Sequence, residues 1–363
     1  METDPVTPLN STPEASNDLA RDPRAGSIPE TTQAASSSVH NPTHNSAESL
    51  STQIHRESAI APFAEIFIGR AKLYPGARWL IYLALAYLTF GVLSFLISGL
   101  RPEPIPAWWT MVGETRMMLA VILPAFVMAR IEGCPFGDFG LPAQRAFGRD
   151  FWAGTLWGIG SLSVLIFALA AARAYSFGPL NLHGVRTFKF ASYYAIFFLI
   201  VAFFEDFFMR GYSQWVLARG MHFWPAAALL SIVFGIMHLM NPGEARIGIA
   251  AVVAIGFFFC LTLRRTGTLW WAVGFHMAWD WGESYLYSVP DSGTVAHGHL
   301  LNSTLRGPDW LTGGSVGPEG SYLLFVLIAG LWLSFSWAYP EVKYRVGKGI
   351  SEVPPSPPGL LES

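Results

Sequence analysis

Eight apolar stretches run along this chain: Trp79–Leu100, Met117–Met128 entered near Trp109, Phe151–Ala172, Ala191–Leu217, Phe223–Met240, Ile247–Leu263, Thr268–Ser288 and Tyr322–Tyr339. About 20 apolar residues cross the hydrocarbon core of a bilayer as a helix, where every backbone group must be satisfied internally. The expected fold is therefore all-α, a polytopic membrane bundle of about eight transmembrane helices. Pro124 is expected to interrupt the second span. Composition agrees, since only 13% of residues are charged, against about 25% in soluble domains. A soluble enzyme, a fibrous protein and a disulfide scaffold are excluded, the last because Cys134 and Cys260 allow at most one bridge.

The organisation around the spans follows from local composition. Residues 1–56 hold no aromatic residue and are rich in Ser, Thr, Pro and Asn, so they read as a disordered polar tail. They lack the short apolar run behind a basic start that marks a signal peptide. Residues 57–78 read as a juxtamembrane segment, with an amphipathic stretch from Phe63 to Tyr74 expected on the membrane surface. Residues 79–339 form the membrane domain, and 340–363 a Pro-rich tail. Pro290 to Gly320 reads as a long polar loop with seven glycines, and no internal repeat is visible. Gly154 and Gly158 form a small-xxx-small pair suited to close helix packing. With the N-terminus inside, the inner segments carry 12 Lys and Arg against 7 outside, which places both termini in the cytoplasm. The net charge of −2, without a basic block, excludes nucleic acid as a partner.

Ionisable side chains are costly inside a bilayer, at least about 2.5–3.5 kcal/mol each on insertion scales. Seven occur in the span cores, and only three spans hold them: Glu205, Asp206 and Arg210 in the fourth, His238 in the fifth, and His276, Asp280 and Glu283 in the seventh. Asp206 and Arg210 are four apart and share a helix face, which reads as a structural ion pair. His276, Asp280 and Glu283 also share a face. Glu283, near the end of its span, reads as a solvated or interfacial group. Glu205, His238, His276 and Asp280 are the candidate catalytic set, with Asp206 and Arg210 in support, between the fourth, fifth and seventh helices.

At these residues the sequence resembles the CAAX protease and bacteriocin-processing family, abortive-infection-type intramembrane endopeptidases that include the type II prenyl-protein proteases. Three motifs carry the resemblance in order: Glu205-Asp206-Phe207-Phe208-Met209-Arg210, Phe234-Gly235-Ile236-Met237-His238, and His276-Met277-Ala278-Trp279-Asp280. A weaker feature is Phe139-Gly140-Leu141. The resemblance covers roughly 79–339 and is most specific over 201–284. Asp206 departs from it, because the family usually has a second Glu there. The resemblance implies that Glu205 and His238 hold and activate a water and that His276 donates to the oxyanion. An ionised Asp280 cannot donate, so it is expected to fix the His276 tautomer, or to donate while protonated.

The same four residues could instead hold zinc or another divalent metal. The chain has no His-Glu-xx-His, and the glutamate–histidine mechanism needs no metal, so a metal-free site is favoured. The Gly313-Gly314-Ser315-Val316-Gly317 run matches a nucleophile elbow but lies in a Gly-rich loop without a strand pattern. The expected function is an intramembrane endopeptidase acting on a peptide or lipidated protein in the bilayer, in the plasma (inner) membrane. Rival expectations are a proton-coupled transporter and a silent peptide-binding or immunity protein.

Overall fold

A computed structural model describes residues 73–106, 108–241, 246–344 and 346. The expected disordered tail, nearly all of the 63–74 stretch and most of the C-terminal tail lie outside them. The described chain is a helical bundle built from α1 (Pro75–Ser98), α2 (Trp108–Glu132), α3 (Arg149–Ala171), α4 (Val185–Arg210), α5 (Tyr212–Met221), α6 (Phe223–Met237), α7 (Arg246–Thr266), α8 (Trp270–Trp281) and α9 (Tyr322–Ala338). Pro75 opens α1 at a position where a missing N–H costs nothing. Pro124 does not interrupt α2, which runs through it. Neighbouring helices make such a proline tolerable in a membrane, and Pro124 is itself buried.

Among the described residues, six helices are long and apolar enough to cross a membrane, against the eight expected: Pro75–Ser98, Trp108–Glu132, Arg149–Ala171, Val185–Met221, Phe223–Met240 and Arg246–Thr266. The other two expected spans are shorter. α9 has 17 residues. α8 has 12 and continues into a five-residue π turn, Gly282–Leu286. Trp270 through Phe275 are all buried, so most of the surroundings of α8 are protein and its length is not set by lipid.

α8 packs mainly against α3 and α4. Its contact with α3 is backbone to backbone. A Cβ on Gly154 would stand 1.9 Å from the Trp271 carbonyl oxygen, one on Gly158 2.3 Å from that of Phe275, and one on Gly274 2.1 Å from that of Phe151. The small-xxx-small pair thus supplies two glycines of a three-glycine crossing. The loop before α3 secures the start of α8: the Gly140 carbonyl accepts from Leu269 N at 2.7 Å, and the Pro142 carbonyl accepts from Trp270 Nε1 at 3.1 Å. Gly140 itself sits at φ 95°, a conformation that favours glycine.

The long polar loop after α8 is tied to the bundle. A two-residue strand β1 (Tyr175–Ser176) pairs antiparallel with β2 (Thr304–Leu305), Tyr175 opposite Leu305. Leu300 N donates to the Tyr285 carbonyl, and the Tyr194 hydroxyl donates to the His297 carbonyl. The Gly313–Gly317 run follows a helical turn, Asp309–Thr312, which Gly313 ends in left-handed conformation. A helical turn, not a strand, leads directly into it, and it is a turn.

Candidate active site

Asp206 and Arg210 stand one turn apart on α4 and are paired at 2.6 Å, Nη1 to Oδ1, with 0% and 1% of their side chains exposed. Arg210 also donates from Nε to the Gly256 carbonyl on α7 at 3.2 Å. Its guanidinium lies over the rings of Phe234, 4.9 Å away, and Phe259, 5.2 Å away. The arginine therefore joins α4, α6 and α7. Gly256 leaves it room, since a Cβ there would stand 2.8 Å from Arg210 Nη2.

Glu205 precedes Asp206 and is turned about 100° away around the helix, toward His276 on α8. The imidazole stands among three carboxylates. Its Nδ1 faces Asp206 Oδ2 at 3.4 Å, and its Nε2 faces Glu205 Oε2 at 3.6 Å and Asp280 Oδ2 at 3.5 Å. Asp280 is thus at Nε2, while the carboxylate at Nδ1 is that of Asp206. The Asp206–Arg210 pair does more than brace helices, because its second oxygen faces the His276 ring at 3.4 Å.

His238 comes from the end of α6, where the helix gives way to a 3-10 turn, His238–Met240. Its Nδ1 meets the Phe234 carbonyl at 2.9 Å. A carbonyl only accepts, so Nδ1 carries the proton and Nε2 of the neutral ring is left as the acceptor. Glu205, His238, His276 and Asp280 all line one cavity of about 430 Å³. The rest of its wall is largely apolar, including Phe197, Phe198, Val201, Val252 and Ile255.

Three further carboxylates reach this cavity: Glu114 from α2, and Asp291 and Glu319 from the polar loop. Glu114 stands before the apolar stretch of α2, beside Arg116, and carries no pattern that would single it out. Asp291 and Glu319 sit in a stretch that reads as solvated loop. Burial, then the nearby Asp280 and Glu319 charges, pushes the Asp291 carboxyl well above the usual carboxylate range. Among the described residues, the acidic group whose oxygens come within 4.8 Å of one another is Asp280, Asp291 and Glu319. Glu283 is not solvated as expected. It has 0% exposure, and neither carboxylate oxygen has a hydrogen-bond partner. The π turn that starts at Gly282 carries it into the interior instead of toward the surface.

Such an arrangement offers acceptors (Glu205, His238 Nε2) and a donor (His276) around one cavity, the elements of general acid–base hydrolysis. No curated protein and no solved structure matches the chain. Residues 187–282, about a quarter of the chain and the part that carries all three motifs, match the family model described as type II CAAX prenyl endopeptidase Rce1-like, so this segment is similar to that family.

Proposed function

We propose that this multi-pass membrane protein hydrolyses a peptide bond within or at the membrane, using water activated by Glu205 and His238. The supporting observation is that Glu205, His238, His276 and Asp280, from three separate helices, line the same cavity. Glu205 takes a proton from the water as it attacks the scissile carbonyl. His238 Nε2 accepts the water's other hydrogen bond and orients it. His276 donates to the developing oxyanion, its ring held by Asp206 at Nδ1. Glu205 then returns the proton to the leaving amine. Fixed donors and acceptors of this kind act strongly where water is excluded.

The apolar cavity wall suits an extended peptide with bulky or lipidated side chains, and a CAAX-type prenylated C-terminus is the substrate class this favours. The mechanism runs without metal. Zinc held by Glu205, His238, His276 and Asp280 is the alternative, which zinc-specific rescue after chelation would favour. The Lys and Arg asymmetry supports an orientation with both termini cytoplasmic.

The test is cleavage of prenylated and unprenylated peptides by detergent-purified protein. Glu205→Gln should remove hydrolysis while the protein stays monodisperse, because an amide cannot accept the water's proton. Near-normal turnover in that variant would end the glutamate mechanism. Substrate-driven ion flux in proteoliposomes, with no cleavage, would favour a transporter.

A further inference from the structure

The geometry points to a divalent-cation site formed by Asp280, Asp291 and Glu319, which shares Asp280 with the catalytic set but takes no ligand from Glu205 or His238. The three residues offer oxygens within 4.8 Å of one another. Ligands around one ion at about 2.1–2.6 Å stand at most about 5 Å apart. Hydrogen bonds from neighbours hold two of the three acids. Ser284 Oγ donates to Asp291 Oδ2 at 3.1 Å. Ser292 donates to Glu319 Oε2 from its backbone N at 3.0 Å and its Oγ at 2.6 Å. These bonds use one oxygen of each acid and leave the other for a ligand, as outer-shell partners of metal sites do.

An independent observation comes from Glu283. It lies three residues on from Asp280, in the π turn that follows α8. It is fully buried and both its oxygens lack a hydrogen-bond partner. The charges that act on it are those of Glu319, Asp291 and Asp280. Four acids thus gather in one interior region. Among the described residues that line the cavity there is no Lys or Arg. His276 faces Asp280, but it also faces Glu205 and Asp206. Asp280 and Glu283 are buried and Asp291 and Glu319 half-buried, and a cation bound among the acids would relieve the repulsion between their ionised forms. Donors that are all carboxylate oxygens suit a hard cation, Mg²⁺, Mn²⁺ or Ca²⁺, with water completing its shell. Bound there, the ion neutralises the acids and fixes Asp280 behind His276. The loop Pro290–Gly320 supplies two of the three ligands, so the ion also clamps that loop to α8.

This site does not depend on the hydrolytic reading, and its test reads binding. Full-length protein in detergent is stripped with EDTA, then titrated with Mn²⁺ and followed by electron paramagnetic resonance. The wild type should bind one Mn²⁺. Asp291→Asn and Glu319→Gln should each weaken binding tenfold or more, while Glu205→Gln and His238→Ala should bind as the wild type does. Saturating Ca²⁺ or Mn²⁺ should also raise the wild-type melting temperature by about 5 °C. The site is refuted if the wild type binds no Mn²⁺ at millimolar concentration, or if the two carboxamide variants bind normally. Loss of binding in Glu205→Gln and His238→Ala would refute it too, and would assign the ion to the catalytic set. Should the carboxamide variants not fold, an unshifted wild-type melting temperature refutes the site without them.

Discussion

Removing Arg210 alone should damage the protein far more than removing Asp206 and Arg210 together. Both side chains are essentially without exposure, and they meet at 2.6 Å. Deleting one partner of such a buried pair leaves an uncompensated charge and costs about 3–5 kcal/mol. Arg210→Met also gives up the bond to the Gly256 carbonyl, worth about 1.5–3 kcal/mol for a charged donor. Against a total stability of about 5–15 kcal/mol, the single variant should scarcely accumulate. The double variant Asp206→Ala, Arg210→Met removes both charges and replaces the guanidinium with an apolar chain between Phe234 and Phe259. Replacing a buried ion pair in this way is often neutral or stabilising, so the pair should show a coupling of at least about 2 kcal/mol. Monodisperse protein after a heating series in detergent measures it. The double variant should recover stability and stay poorly active, because His276 has lost the carboxylate at Nδ1. If it is no more stable than Arg210→Met, the pair is not what holds α4 to α7. If it is stable and turns over normally, Asp206 does not orient His276.

Other substitutions probe the same region more locally. Asp206→Glu keeps the charge but adds a methylene where nothing is exposed, so it should cost about 1–3 kcal/mol of overpacking and remain better than Asp206→Ala in expression and turnover. Gly256→Ala places a Cβ 2.8 Å from Arg210 Nη2 and 3.2 Å from Phe234 Cδ1; a loss of about 1–3 kcal/mol in melting experiments is expected, and an unchanged melting temperature would show that the arginine is free to shift. His276→Ala should lower turnover by about 10²–10³-fold, the usual effect of one oxyanion donor. Burial, helped by Asp138 and Glu132, pushes the Cys134 thiol up to about 11. In a Cys260→Ser background its alkylation at pH 8 should be roughly a hundredfold slower than that of an ordinary thiol, rising about tenfold per pH unit; a rate already flat at pH 8 contradicts that shift.

The motif residues were legible because lipid makes every ionisable group conspicuous. Glu205, His238, His276 and Asp280 stand out against apolar neighbours, and spacing of three or four gives their shared faces. Asp291 and Glu319 were not legible, because in a Gly-rich polar loop an acid inside a cavity looks like one in water. Glu283 misled for a related reason: nearness to a span end suggests solvent, but the π turn at Gly282–Leu286 is a tertiary feature. The extent of the seventh apolar stretch was less legible, because α8 is enclosed by protein. α8 is apolar enough to suggest a full crossing, but hydropathy does not distinguish lipid from the flanks of α3 and α4.

The three-glycine crossing of α3 and α8 has a mechanical consequence. Side chains at such a contact act as compliant spacers, and rotamer changes let one helix roll against another. Here the carbonyls of Phe151, Trp271 and Phe275 fill the space that spacers at Gly274, Gly154 and Gly158 would occupy, so α8 has a bearing without play. An imidazole carried about 6 Å from a helix axis would swing about 2 Å for a 20° roll, enough to pass from one carboxylate to another. Any gating motion in this protein must therefore leave α3 and α8 moving as one rigid member and occur in the elements around them, such as the loop that closes the cavity from the other side.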